Sequence, residues 1–214
     1  MKKDFCTLYL IRHGETEWNR DRIIMGHTDT PLTEIGVRQA DELSVLLKPI
    51  YFSAVYSSDS PRAVRTAEAV IKYRSLSIQK SAQLRERHFS RFEGMPADIF
   101  REQNKADFAA KEALPESEQW KYQVAGCVES DESLVTRVIT ELREVASAHR
   151  GETVLVSTHG GPIRHMLIKL GFAPYGSLPS GSFKNAGYVI AESDGQVITV
   201  KEVHGIKEHE NNRK

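Results

Sequence analysis

Two short apolar runs constrain this chain more than any other feature. Leu8-Tyr9-Leu10-Ile11 stops at Arg12-His13-Gly14, and Thr153-Val154-Leu155-Val156-Ser157 stops at Thr158-His159-Gly160. Continuous apolar runs of this length read as strands buried on both faces, the kind found in parallel sheets covered by helices. Such a sheet delivers the residues after each strand to its carboxyl edge, where ligands of open α/β folds bind. Alone, Arg12-His13-Gly14 reads equally well as an anion site or as a surface turn with two basic residues. Partners elsewhere in the chain must decide.

In chain order, a polar loop from Glu15 to Pro31 follows the first strand. Thr33 then caps a helix over 34–47, with Val37, Ala40, Leu43, Leu46 and Leu47 at helical spacing. Phe52 to Tyr56 reads as a second strand, and Ser60-Pro61 as a helix start with proline in the first turn. Leu76-Ser77-Ile78 is a candidate third strand leading to Leu84-Arg85-Glu86-Arg87. The stretch from Met95 to about Val128 is polar and broken by Pro96, Pro115 and Gly126, and is expected to form a loop-rich helical cap. An amphipathic helix over 132–148 follows, with Leu134, Val138, Leu142 and Val145 on one stripe. After the strand at 153–157, a helix is expected over 163–170. Asp194-Gly195 between two apolar runs reads as a hairpin. The expected architecture is three-layer α/β/α, with a mostly parallel central sheet, one antiparallel edge hairpin and a helical cap insertion at about 95–128. Residues 1–204 make one domain and 205–214 a flexible tail.

The 214 residues carry 29 basic and 29 acidic side chains. Net neutrality supplies no global field toward nucleic acid or an anionic membrane, so neither is an expected partner and any positive site must be local. Cys6 and Cys127 are the only cysteines, which suits a reducing compartment and offers no thiolate metal site. Met1-Lys2-Lys3 before an apolar stretch resembles a short leader. The stretch is minimal and no small-residue cleavage site follows, so it reads as a first strand of a cytoplasmic protein.

If the sheet is mostly parallel, Arg12, His13, Arg62 at a helix head, Glu86 and His159 converge on one edge. That mixture suits phosphoryl transfer. Arginines clamp oxygens, a histidine can attack phosphorus, and a carboxyl group can move the leaving-group proton.

The ordered set Arg12-His13-Gly14-Glu15-Thr16, Trp18-Asn19, Pro31-Leu32-Thr33-Glu34-Ile35-Gly36, Ser57-Ser58-Asp59, Arg62 with Thr66-Ala67-Glu68, Leu84-Arg85-Glu86-Arg87, Phe92-Glu93-Gly94 and His159-Gly160-Gly161 resembles the histidine phosphatase, or phosphoglycerate mutase-like, superfamily. The resemblance covers most of residues 7–190. It implies His13 as a nucleophile that becomes phosphohistidine, and Glu86 as general acid. His159, Arg12, Arg62, Asn19 and Gly160 fall in its phosphate pocket. No metal or other cofactor is implied, and the partner is a small phosphorylated metabolite. The oligomeric state is open, a homodimer included.

Within that resemblance the cap decides between branches. Mutases carry a basic, proline-containing insertion there. Here Arg101, Lys105, Lys111 and Lys121 stand against Asp98, Glu102, Asp107, Glu112, Glu116 and Glu118, which favours the cofactor-independent phosphatase branch over a phosphoglycerate mutase. Two other classes stay open: a phosphate-binding scaffold without turnover, and a zinc hydrolase built on His13, His88 and His159, although no HExxH-like ligand set accompanies it. One departure stands out. Family members often have glycine where this chain has Ser90.

Overall fold

The computed structural model describes residues 4–206. In chain order the elements are β1 (Cys6–Arg12), α1 (Glu17–Arg20), α2 (Glu34–Leu46), β2 (Ala54–Ser58), α3 (Pro61–Ile71), β3 (Ile78–Ser81), α4 (Ala97–Gln103), α5 (Lys105–Glu112), α6 (Glu116–Gln119), α7 (Asp131–Ala148), β4 (Thr153–Thr158), α8 (Gly160–Lys169), β5 (Phe183–Ser193) and β6 (Ile198–Ile206). One sheet runs β3-β2-β4-β1-β5-β6. Its first four strands are parallel, and β5 and β6 are antiparallel additions on the β1 side. The expected architecture is observed. The last strand reaches Ile206, two residues into the expected tail, and 207–214 lie outside the described residues.

Both faces of the sheet are covered, which is why β1 and β4 carry apolar residues without alternation. Leu8, Leu10, Val154 and Val156 pack toward α7 and α8, against Leu134, Leu142, Ile163 and Met166. Ile11, Val55 and Leu155 pack toward α2 and α3, against Leu43, Leu47, Ala67 and Val70. Each such side chain contributes roughly 1.5–3 kcal/mol of burial. In α2 the stripe is narrower than its spacing suggests: Val37 and Leu46 are 48% and 57% exposed, whereas Ala40, Leu43 and Leu47 are buried. Helical spacing allowed a wide face, but α2 meets the sheet along a single line.

Caps follow the sequence closely. Thr33 accepts from Gly36 N–H at 3.0 Å, and Ser130 accepts from Ser133 N–H at 3.1 Å. Ser60 makes no side-chain cap bond, because its hydroxyl is taken by Ser58. The helix α8 starts at Gly160, three residues before the expected Ile163. The loop after β1 contains α1, closed by a capping box between Thr16 and Asn19.

The cap is better packed than its composition implies. Phe92, Phe100, Val124 and Val128 form a separate apolar cluster with Ile24. Phe100 takes Phe92, Phe89 and Phe108 edge-on at centroid distances of 4.9, 6.0 and 5.7 Å. These aromatics come from three separate short segments, so no window of sequence displays them as one core. Ser90 sits at φ 57°. The left-handed backbone there is one that a glycine would adopt without strain.

No helix of the described residues is long and apolar enough to cross a membrane.

Candidate active site

Strand register brings the two histidines together. Arg12 on β1 is paired with Thr158 on β4, so His13 and His159 leave the sheet as neighbours. Their ring centroids are 5.2 Å apart in an edge arrangement. On the other side of β4, β2 ends at Ser58 and the chain turns into α3, whose second residue is Arg62. Gly14 must be a glycine for a reason outside its own segment: a Cβ would stand 2.4 Å from the carbonyl oxygen of Gly36 on α2. The two motifs Arg12-His13-Gly14 and Thr33-Glu34-Ile35-Gly36 therefore touch.

His13 is 2% exposed. Its Nδ1–H donates to the Gly14 carbonyl at 2.7 Å, which leaves the lone pair on Nε2. Burial, then the charges of Arg62 and Arg12, push its pKa well below the usual imidazole value, against a small opposing effect of the Gly14 carbonyl. His159 is fully buried and is pushed down by burial, Arg62, His13 and Arg12. Its Nε2 lies 2.8 Å from Ser58 Oγ, and its Nδ1 has no hydrogen-bond partner among the described residues.

Arg62 is wholly buried and held on three sides. Its Nη1 donates to Asp29 Oδ1 and to the Thr28 carbonyl, each at 2.9 Å, and its Nη2 to the Gly26 carbonyl at 2.8 Å. A buried guanidinium needs such a counter-charge. Arg12 donates through Nη1 to the Phe183 carbonyl. Burial pushes its pKa down to about 10, with Glu86 opposing and Arg164 and Arg62 adding to the fall, so it remains a cation at neutral pH. Nε of Arg12 and Nε of Arg62 are buried without a partner among the described residues. Gly160 allows this packing, since a Cβ there would meet Arg12 Nε at 3.2 Å.

Glu86 approaches from the loop after β3. Its Oε1 accepts from Arg87 N–H at 2.8 Å and its Oε2 from Gly161 N–H at 3.0 Å. A Cβ on Gly161 would come within 2.0 Å of Glu86 Oε1. Arg137 braces the loop, donating to the carbonyls of Gln83, Arg85 and Glu86 at 2.7, 2.8 and 2.9 Å. Asn19, expected to contact phosphate, is tied to its surroundings through its side-chain oxygen. Its Oδ1 accepts from Thr16 N–H and from Asn185 Nδ2, at 3.2 and 3.0 Å, so at least its oxygen serves the turn.

His88 is not gathered with His13 and His159. Its ring lies tilted against that of His27 at a centroid distance of 4.8 Å, and His27 Nε2–H in turn donates to the Glu86 carbonyl at 3.0 Å. No group of three or more His, Cys, Asp or Glu side chains is arranged to hold a metal ion among the described residues.

Sequence reasoning assigned no role to Asp29, Arg137 or Asn185, and Ser58 and Gly161 entered it only as parts of longer motifs. Asp29 acts on Arg62, 33 positions away, and each of the others acts on a residue 51 or more positions away. No local pattern records such pairings.

Two arginines and a second histidine thus stand beside a buried, unprotonated His13. Known proteins are similar along most of the chain. It is 36% identical over 165 residues to the phosphoglycerate mutase-like protein 4 of Arabidopsis thaliana, covering 76% of this chain and 70% of that protein. It is 31% identical to a metal-independent phosphoserine phosphatase of the same plant, covering 79% and 71%. The solved structure of Bacillus stearothermophilus YhfR superposes with a TM-score of 0.79 at 31% identity, over 95% of this chain and 98% of that one. A family model described as the histidine phosphatase superfamily (branch 1) matches residues 8–204. The chain belongs to the histidine phosphatase superfamily.

Proposed function

We propose that the chain hydrolyses the phosphomonoester of a small metabolite through a phosphohistidine on His13, without a metal ion. The observation that carries this reading is the set of buried, unpartnered nitrogens on Arg12, Arg62 and His159 around a histidine whose Nε2 lone pair is free. Leaving buried donors unsatisfied costs about 1–3 kcal/mol each, so the arrangement is suited to a ligand that supplies oxygens. In the first step His13 Nε2 bonds to phosphorus as the ester P–O bond breaks, and the carboxyl group of Glu86 delivers a proton to the leaving oxygen. In the second, water attacks phosphorus, Glu86 takes its proton, and the P–N bond breaks to release phosphate. Arg12, Arg62 and a proton on His159 Nδ1 hold the equatorial oxygens throughout. Gly160 keeps the wall beside Arg12 low, and the free amide of Asn19 is a further donor.

Hydrolysis is favoured over mutase chemistry by the cap. Of its four cations, Lys111 is paired with Asp131 and Lys121 with Glu118, which leaves little positive charge to retain a phosphoglycerate for the return transfer. The test is a panel of phosphorylated metabolites, 3-phosphoglycerate included, assayed for released phosphate and for isomerised product. Phosphate release on at least one compound, absent in His13→Ala, is expected. Isomerisation without release would replace the reading with a mutase. No turnover on any compound would leave a phosphate-binding protein.

The burial of His13 makes a pH prediction. Because its pKa lies well below the ordinary value of about 6.5, it stays neutral as pH falls through that value. The kcat/KM for an activated aryl phosphate should therefore show no acid limb between pH 7 and 5. A limb centred near 6.5 would mean that His13 titrates as an exposed imidazole, contrary to the proposal. Stability has its own sign: below about pH 6.5 the unfolded chain protonates His13 and His159 and the native one does not, so stability declines as pH falls.

A further inference from the structure

Two backbone amides clamp the carboxylate of Glu86, and one buried side chain stands behind both. On one side Arg87 supplies an amide, and its guanidinium donates to Asp131 Oδ1 at 2.5 Å and to the Glu129 carbonyl at 2.7 Å. On the other side Gly161 supplies an amide, and its carbonyl accepts from His165 Nδ1–H at 2.8 Å. Burial, assisted by the Arg87 charge, outweighs the pull of Asp131 and keeps His165 neutral, so its Nε2 accepts from Arg87 at 3.1 Å. That Nε2 also lies 3.2 Å from Asp131 Oδ1. One carboxylate oxygen therefore holds Arg87, and Arg87 in turn reaches the second arm of the clamp at His165.

Asp131 is 4% exposed, and its second oxygen accepts from Lys111 of α5 at 2.8 Å and from Tyr175 Oη at 2.6 Å. Burial would raise its pKa, but the charges of Arg87 and Lys111 hold it well below the usual carboxylate range. Helix capping does not explain this residue, because Ser130 already caps α7. A carboxylate surrounded by donors from three separate segments sets their spacing.

We propose that Asp131 is a positioning residue that, through Arg87 and His165, sets the two amides aiming the carboxyl group of Glu86 at the leaving oxygen. The proposal rests on the reading of Glu86 as the proton donor. Its test compares Asp131→Asn, His165→Leu and Glu86→Gln with the unsubstituted protein on 4-nitrophenyl phosphate and on an alkyl phosphate. Only the alkyl leaving group needs a proton. Misplacement of a catalytic group by about 1 Å costs up to about 10²-fold, so Asp131→Asn should lose about tenfold or more in kcat on the alkyl phosphate, with KM unchanged and the aryl rate nearly intact. His165→Leu leaves the Asp131–Arg87 pair in place and should show a smaller loss with the same selectivity. It carries the test alone if Asp131→Asn does not fold. Equal losses on both substrates, or no loss, would overturn the role of Asp131. Selectivity in Glu86→Gln with none in the two positioning variants would overturn only this inference, whereas no selectivity in Glu86→Gln would remove the reading on which it rests.

Discussion

Replacing His13 with alanine is expected to abolish turnover, by at least about 10⁴-fold, because no neighbouring group can take over the covalent step. His159 is close enough to the phosphate pocket, with ring centroids 5.2 Å apart, but its Nε2 is engaged with Ser58. The corresponding direct measurement is a rapid quench with labelled substrate under denaturing, acid-free conditions. One phosphoryl group should be recovered per chain, on His13, labile to acid and stable to base as a phosphoramidate is. Label on a serine, or undiminished activity in His13→Ala, would end the phosphohistidine mechanism. The substitution removes one buried hydrogen bond, to the Gly14 carbonyl, so the variant should lose about 1–3 kcal/mol and remain folded. A thermal unfolding scan separates loss of chemistry from loss of structure.

The second large effect is selective. Glu86→Gln keeps the shape of the side chain and removes its ability to donate an acidic proton. Alkyl phosphates, whose leaving oxygen must be protonated, should lose about 10²–10⁴-fold in kcat, while a nitrophenyl ester should lose only a few-fold. The geometry sharpens the expectation. Both carboxylate oxygens accept backbone N–H groups, and the amide of glutamine can satisfy only one of them in that way. An equal loss on both classes would make Glu86 a structural member of the loop rather than a proton donor.

Much of this protein is legible in its residues alone. The two strand-histidine-glycine endings and the cap at Thr33 stand where local patterning puts them, and the hairpin at Asp194-Gly195 forms with a four-residue loop over 194–197 in place of a two-residue turn. The parallel sheet follows from strands without polar alternation, since only a sheet covered on both faces needs such strands. Local patterning also has physical limits. Val37 and Leu46 share the helical spacing of Leu43 but are exposed, because spacing states which residues lie on a face and not how wide a face the sheet covers. The aromatic cluster of the cap is hidden from the sequence for a related reason: its members come from separate segments. So does the partner that ties the Asn19 oxygen into a turn, Asn185 on β5.

Local periodicity and the order of the motifs are enough to define the fold class, the family and the residue types able to carry phosphoryl transfer. The protonation and aim of those residues arise only when distant segments meet. The neutral state of His13 comes from burial beside Arg12 and Arg62, the buried charge of Arg62 is balanced by Asp29, and both oxygens of Glu86 are held by amides from two different segments. These are effects of distance and dielectric, and an extended chain in water has neither the proximity nor the burial that produces them.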